Sequence, residues 1–390
     1  MFNRKIFLIF ILLFLSVFIF SDFDVNAFEI PDKISVGLDS FDVSEVIIDN
    51  KEIYLGYDGK FSECALYCNN SFKIYILNED IILNIDGVDM INLNDNFQIK
   101  ANDCLKLNSK RYRGILEFYK KKIDLNYKLK IINLLSCNEY LYGVVCSEMP
   151  HNWPEQALKA QAVAARTYLL SSINNKTHKD FDICDKVHCQ VYKGLDSEYS
   201  RVNDFIDETE NKCIVYNDKI INAYFFSSSG GNTDDVENVW GNKIDYLIGI
   251  DDKYESECKI WKCKFSKNDI QEILDKKNID LGEIIDLSID EINKNNRVNK
   301  ILISGSKSNL ILSKQSIINF FNSIKTGFLS RNFYIEKNDT SDGFEIIFNG
   351  KGYGHGVGMS QYGAKGMSDS GFNFIEILKF YYTGVEIANS

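Results

Sequence analysis

Proline is nearly missing from this chain, with three in 390 residues, so no proline-rich linker separates its parts. Histidine is scarce as well, and four residues leave few candidates for a catalytic base. There is no basic excess: 44 Lys and Arg stand against 55 Asp and Glu, a net charge of −11. That balance argues against nucleic acid as a partner, because phosphate-binding domains usually carry a positive face. No internal repeat or low-complexity tract is visible. The longest apolar run, residues 6–20, falls short of the roughly 20 residues that span a bilayer. Neither H-E-x-x-H nor G-x-S-x-G occurs, which removes the usual signatures of a zinc protease and of a serine nucleophile elbow.

That apolar run has a context of its own. Arg4 and Lys5 precede it, Ser21-Asp22 ends it, and Val25-Asn26-Ala27 offers a small-residue cleavage site. Residues 1–27 therefore read as a signal peptide or a retained membrane anchor. Either way the remainder is expected to be extracytoplasmic. Ten cysteines are compatible with disulfides there, for example Cys64 with Cys68 or Cys258 with Cys263, but their spacing is irregular and the chain is too large to need staples. The apolar fraction of 45% and charged fraction of 25% are those of a globular protein.

The patterning predicts an α+β protein. Short alternating runs at 34–36, 46–48, 72–77, 81–85, 112–118 and 129–132, punctuated by Asn, Asp and Gly, predict a β-rich module over 28–135. Helices are expected at 154–172 and 200–210, followed by a hairpin of 213–216 and 221–226 turning at Asn217-Asp218. Residues 246–345 differ in composition, being rich in Lys, Asn, Asp and Ile. Helices near 266–276 and 314–324 and strands at 301–304, 310–312 and 344–348 make this block a small α+β domain inserted into a mixed α/β domain of 136–245 and 346–390.

The stretch SEMPHNWPEQALKAQAVAARTY, residues 147–168, carries the most information. Pro154 suits a helix start, and Glu155 lies in the first turn, where the helix dipole favours negative charge. Residues 157–165 are alanine-rich, with high helix propensity and room for close backbone approach. Glu148 precedes this helix among Val144, Val145, Met149, Pro150 and Trp153. Such company strips water from a carboxyl and raises its pKa towards the range of a general acid. A solvated loop glutamate is the plainer alternative. Lys159 and Arg166, seven apart, fall on one helical face, either as functional cations or as a Glu155–Lys159 pair beside a solvated Arg166.

Glycines at 352, 354, 356 and 358 keep a period of two. In an extended strand they would leave one face bare, either as a floor that a ligand approaches closely or as a tightly packed crossover. His355 is then a site residue or a core histidine, with Gln361 and Tyr362 supplying groups suited to sugar binding. The run Ser227-Ser228-Ser229-Gly230-Gly231 reads as a turn presenting hydroxyls and N–H groups to a cleft. His178, Cys184, His188 and Cys189 share a twelve-residue window whose donors suit tetrahedral zinc. His178, Cys184 and Cys189 are the expected ligands, with water or His188 as the fourth. A Cys184–Cys189 disulfide or free thiols are the rival reading.

Three segments together, 147–168, FFSSSGGNTDDVENVW at 225–240 and GYGHGVGMSQYGAKGM at 352–367, resemble the signature of the stage II sporulation protein D / amidase-enhancer LytB family. The resemblance runs from about residue 36 to the end. It implies action on the glycan strands of peptidoglycan, with Glu148 as the catalytic acid of a lytic transglycosylase. It also implies roles in substrate binding for Lys159, Arg166, Ser227, Ser228, Gly230, Gly231, His355, Gln361 and Tyr362. Zinc near the catalytic glutamate and an N-terminal anchor are further implications. So is a partner amidase or endopeptidase, and the alternative it carries is a non-catalytic activator of an amidase. Asp234, Asp235 and Glu237 keep a second carboxylate, and hence hydrolysis, open.

Overall fold

The structure, a computed structural model, describes residues 28–38, 43–93, 96–341 and 343–390. The N-terminal apolar segment lies outside the described residues. Within them, no helix is long and apolar enough to cross a membrane.

The molecule is a mixed α+β protein, rich in strands, with eight α-helices among the described residues. The N-terminal part forms two sheets. One is built around the long hairpin Ile115–Ile123 and Asn126–Leu135, flanked by Ile34–Gly37 on one side and Asn96–Lys100 on the other. The second centres on Glu45–Ile48, Phe72–Leu77, Asp80–Ile85 and Val88–Leu93. Its hairpins close through two-residue turns with positive φ, Asn78-Glu79 and Asp86-Gly87, as the right-handed twist of paired strands demands. Alternate residues such as Val46, Ile48, Ile74 and Leu83 are buried between the sheets.

One contact ties this module to the site. Ile183–Cys184 adds to its first sheet as a parallel strand, with Val36 opposite Ile183 and Gly37 opposite Cys184. Asp182 Oδ2 accepts from the Ser35 amide at 2.8 Å and the Ser35 hydroxyl at 2.7 Å. The sheet thereby stations Cys184.

Helix α1 (Cys137–Glu148) starts at a capping box of Ser136 and Glu139, worth about 1 kcal/mol. Helix α2 (Glu155–Asn174) follows from Pro154, and its alanines at 157, 160, 162, 164 and 165 are all buried. Their small side chains let α2 serve as the central post of the main core. Around it pack α1, α3 (Ser200–Glu208), α7 (Gln361–Asp369) and α8 (Phe374–Tyr381). The short α4 (Val236–Trp240) lies beside the cleft described below. Only part of the expected hairpin forms: Lys212–Tyr216 pairs with Lys219–Ile220, while Phe225–Phe226 leaves it and pairs in parallel with Met359–Ser360.

A second hydrophobic core, drawn from residues 261–348, contains Trp261, Phe265, Phe321, Phe328 and Phe348. It is enclosed by two three-stranded sheets together with α5 (Lys267–Lys276) and α6 (Gln315–Phe321). Two buried arginines bind this part to the rest. Arg331 pairs with Asp234 at 2.6 Å, and Arg297 donates to the Ser229 and Asn232 carbonyls at 2.8 and 3.0 Å.

The glycine-rich segment is not the extended strand that its period suggests. Gly352, Gly354, Gly356 and Gly358 all have positive φ, from 77° to 110°, so the chain coils through a loop. Two positions show why no side chain is allowed. A Cβ on Gly358 would lie 2.0 Å from the Tyr224 carbonyl oxygen, and one on Gly356 would lie 2.6 Å from the Arg297 guanidinium carbon. Left-handed backbone and close approach both require glycine here.

Candidate active site

Glu148 is the last residue of α1 rather than part of a loop. It opens into a cleft of about 580 Å³ that is also lined by Ser227, Trp240, Tyr353, His355 and Gln361. Its Oε1 accepts a hydrogen bond from the Val191 amide at 2.9 Å. That amide is fixed from behind: Tyr140 donates to Gln190 Oε1 at 3.0 Å, and Gln190 Nε2 reaches the Ala165 carbonyl at 3.3 Å. Burial pushes the Glu148 carboxyl above its ordinary value, against the opposing pull of the Val191 N–H, the Gln361 side chain and the Lys193 charge. The outcome is a carboxylic acid that holds its proton more firmly than a surface glutamate.

No second carboxylate lines the cleft among the described residues. The three acids of the second motif are employed elsewhere. Asp234 is fully buried; beside Arg331 it accepts from Asn238, Asn293 and Asn295 at 2.9 to 3.2 Å. Asp235 pairs with Lys294 at 2.8 Å and accepts from the Gly249 amide at 2.7 Å. Glu237 points to solvent.

His355 lines the cleft with both ring nitrogens already engaged. Nε2 lies 3.1 Å from the Phe225 carbonyl and so donates to it, while Nδ1 accepts from the Val357 amide at 3.1 Å. Burial, helped by the nearby Arg297 charge, pushes this imidazole down to about 4, so it is neutral at physiological pH. It can neither donate to nor accept from a substrate in this arrangement.

The other expected site residues divide. Ser227 and Gln361 reach the cleft. Tyr362 stacks edge-on with Trp153, ring centroids 4.9 Å apart, and its amide donates to the Ser227 carbonyl at 3.0 Å. Ser228, Gly230 and Gly231 do not face the cleft. Ser228 Oγ accepts from the Lys259 amide, and the Gly230 and Gly231 amides, with the Ser229 amide and hydroxyl, converge on the Glu255 carboxylate. The turn is real, yet its donors are consumed by the neighbouring 252–255 loop.

Lys159 and Arg166 also turn away. Lys159 pairs with Glu155 at 2.5 Å and with Glu208, its ammonium lying over the Phe205 ring. Arg166 is fully buried; its guanidinium donates to the carbonyls of Ile206, Thr209 and Lys212, closing the C-terminal end of α3, and to Asn138. Both stitch α2 to α3, so the cations that the sequence suggested for substrate serve the scaffold.

His178, Cys184, His188 and Cys189 come together, with one donor atom from each lying within 4.8 Å of the others. His178 Nε2 is 3.1 Å from Cys189 Sγ, and His188 Nδ1 is 3.4 and 3.8 Å from the Cys189 and Cys184 sulfurs. For comparison, the edges of a tetrahedron built on zinc bond lengths are about 3.3 to 3.8 Å. Both thiols are free, so the Cys184–Cys189 disulfide is not formed. The Cys184 thiol is pulled well below its ordinary range, chiefly by the Cys189 side chain and further by the Lys186 amide and the two imidazoles. The cluster adjoins the acid, since His188 and Cys189 line the same cleft and Cys189 is two residues from Val191.

Three contributors carry little or no signal in the sequence. The Val191 amide leaves no trace in a side-chain pattern, because any residue but proline would supply it. Trp240 and Tyr353 had a weak signal, each standing inside a recognised motif.

The sequence that builds this cleft has relatives among known proteins. Residues 126–216 match the profile of the Stage II sporulation protein family, and 234–358 match a domain of unknown function. The chain is 31% identical to the Stage II sporulation protein D of Bacillus amyloliquefaciens, over 65% of this chain and 74% of that protein. It is 30% identical to the Amidase enhancer of Bacillus subtilis, over 64% of this chain but only 40% of that longer protein. It is also 32% identical to an uncharacterised protein of Brachyspira hyodysenteriae, over 88% and 89% of the two chains. The chain belongs to the stage II sporulation protein D / amidase-enhancer family.

Proposed function

We propose that this protein is a lytic transglycosylase that cuts peptidoglycan glycan strands after N-acetylmuramic acid, in sporulation or cell-wall remodelling. Family membership supports the cell-wall role. The observation that carries the chemistry is the cleft's single carboxyl, Glu148, held above its ordinary pKa with no second carboxylate on the lining. Hydrolysis by two carboxylates needs a partner acid that the cleft does not present. A lytic reaction does not.

Protonated Glu148 gives its proton to the glycosidic oxygen as the bond to C1 of the muramic residue breaks. The resulting carboxylate then takes the proton of that residue's 6-hydroxyl, whose oxygen closes on C1. A 1,6-anhydro ring forms, no water is consumed, and Glu148 ends protonated as it began. The Val191 N–H steadies the carboxylate between the two steps. His355 is excluded as the base because its Nδ1 lone pair is taken by the Val357 amide and its Nε2 proton by the Phe225 carbonyl.

The His178, Cys184, His188 and Cys189 donor set fits zinc in charge, softness and spacing. Four protein ligands make a closed, structural shell, in which the ion would tie the 178–189 segment together and so hold Val191 against Glu148. The setting is extracytoplasmic, with the chain secreted or tethered through residues 1–27. An amidase is the partner suggested by the relative named Amidase enhancer, with an endopeptidase as the alternative.

That name also supports a second reading, a glycan-binding activator without catalysis of its own. Purified protein on peptide-stripped glycan strands, with products weighed by mass spectrometry, decides between them. The proposal expects 1,6-anhydromuramic ends. Intact strands, together with stimulation of an added amidase, would establish the activator.

A further inference from the structure

We propose that Trp240 and Tyr353 form a stacking shelf for an uncharged N-acetylglucosamine unit of the strand, beside Glu148. The inference rests on reading the cleft as a glycan site and adds which sugar goes where.

Both side chains line the cleft, yet each is 48% exposed, an unusual surface for large aromatics next to a buried acid. Trp240 is braced from behind. Its ring lies 4.6 Å from the Tyr224 ring and 5.2 Å from the His355 ring, centroid to centroid. His355 is itself pinned at both nitrogens, so its ring acts as a scaffold under Trp240. Tyr353 is held by paired backbone hydrogen bonds to Ser228, at 2.8 and 3.1 Å. Rigid aromatic faces of this kind lose little freedom on binding, and they suit the apolar face of a pyranose ring.

Charge decides which sugar. Among the described residues, no lysine or arginine lines the cleft, and the one carboxyl there is Glu148. A lactyl carboxylate of muramic acid seated on the shelf would meet no cation on the lining, whereas the Lys193 charge reaches the Glu148 end of the cleft. N-acetylglucosamine carries none. In an alternating strand this places the neutral sugar on Trp240 and leaves the neighbouring muramic unit across Glu148.

The test uses the full-length Glu148→Gln protein, so that nothing turns over, with the N-acetylglucosamine trimer as probe. Of the three tryptophans, Trp261 is buried in the second core and Trp153 packs on Tyr362, so a change in emission on binding should come from Trp240. The trimer is expected to change the emission. Trp240→Phe should abolish that change yet bind within threefold by calorimetry, whereas Trp240→Ala should bind at least tenfold more weakly with unaltered circular dichroism. N-acetylmuramic acid should leave the Trp240 emission unchanged. The shelf is overturned if the trimer fails to bind, if Trp240→Ala binds as tightly as its parent, if the signal survives in Trp240→Phe, or if N-acetylmuramic acid evokes it equally. Trp240-dependent binding by a wild-type protein that makes no anhydro ends would keep the shelf and remove the catalytic reading. Anhydro ends together with Trp240-independent binding would do the reverse.

Discussion

Replacing Glu148 with glutamine preserves the shape of the side chain and removes only its proton chemistry. The amide oxygen can still accept from Val191 at the position of Oε1, so the wall of the cleft should stand. Proton transfer by a positioned group is worth roughly 10²–10⁴-fold, equivalent to about 3–5 kcal/mol of barrier, and here one residue performs both transfers. Activity on stripped strands should therefore fall by at least 10²-fold. Glu148→Asp makes the matching geometric test. It withdraws the carboxyl by about one carbon–carbon bond, about 1.5 Å, breaking the Val191 contact while keeping an acid, and a misplacement of that size costs on the order of 10²-fold. Stability should move the other way in the glutamine variant. Burial raises the folded-state pKa of Glu148 above the ordinary 4.5, so the folded protein binds its proton more tightly than the unfolded chain. That contribution is complete below pH 4.5 and is lost as pH rises through the folded pKa. Glu148→Gln should then melt higher than the wild type at pH 7–8, with the gap closing below pH 4.5. A glutamine variant that keeps more than a tenth of the activity, or one that melts lower at pH 7, would refute the reasoning.

Three other perturbations follow from the same structure. Cys184→Ser or His178→Ala should reduce bound zinc from one ion per chain to near zero by elemental analysis and lower the melting temperature; a wild-type protein purified without any transition metal counts against the zinc site. Asp252 is buried, with Oδ1 bonded to the Tyr381 hydroxyl at 2.8 Å and Oδ2 unpaired, and burial pushes its carboxyl up to about 6. Its proton stabilises the fold fully below about pH 4 and not above about pH 6, so Asp252→Asn should be more stable than wild type by up to about 3 kcal/mol at pH 8 and equal to it at pH 4, as read from denaturant unfolding. Asp234→Ala leaves the buried Arg331 cation and three asparagine donors without their acceptor, and should cost about 3–5 kcal/mol; a loss under 1 kcal/mol would show that the pair is dispensable.

What could be read in the chain beforehand was whatever depends on neighbours in sequence. The α2 helix, six of the strands in the first 135 residues and the helix near 266–276 follow from periodicity and local hydrogen bonding, whereas Glu52–Tyr57, Val88–Leu93 and Asn96–Lys100 escape that reading. The glycine-rich segment was misread because a period of two looks the same whether alternate residues share a strand face or take left-handed φ; contacts with Tyr224 and Arg297, distant in sequence, decide between the two. Lys159 and Arg166 show the same limit. Their spacing puts them on one face, but Glu208 and the end of α3 determine what that face meets.

The sequence by itself determined the α+β character, the four members of the thiol–imidazole cluster and the family, because each is carried by residue identity in a short window. Tertiary structure decided between a desolvated and a solvated Glu148, and it alone decided that the carboxylate would lean on the Val191 amide, that Asp234 would be buried against Arg331, and that both His355 nitrogens would be engaged beside Trp240. Those outcomes depend on which distant atoms share a low-dielectric space, and burial and hydrogen-bond partners are properties of the packed chain rather than of any one segment.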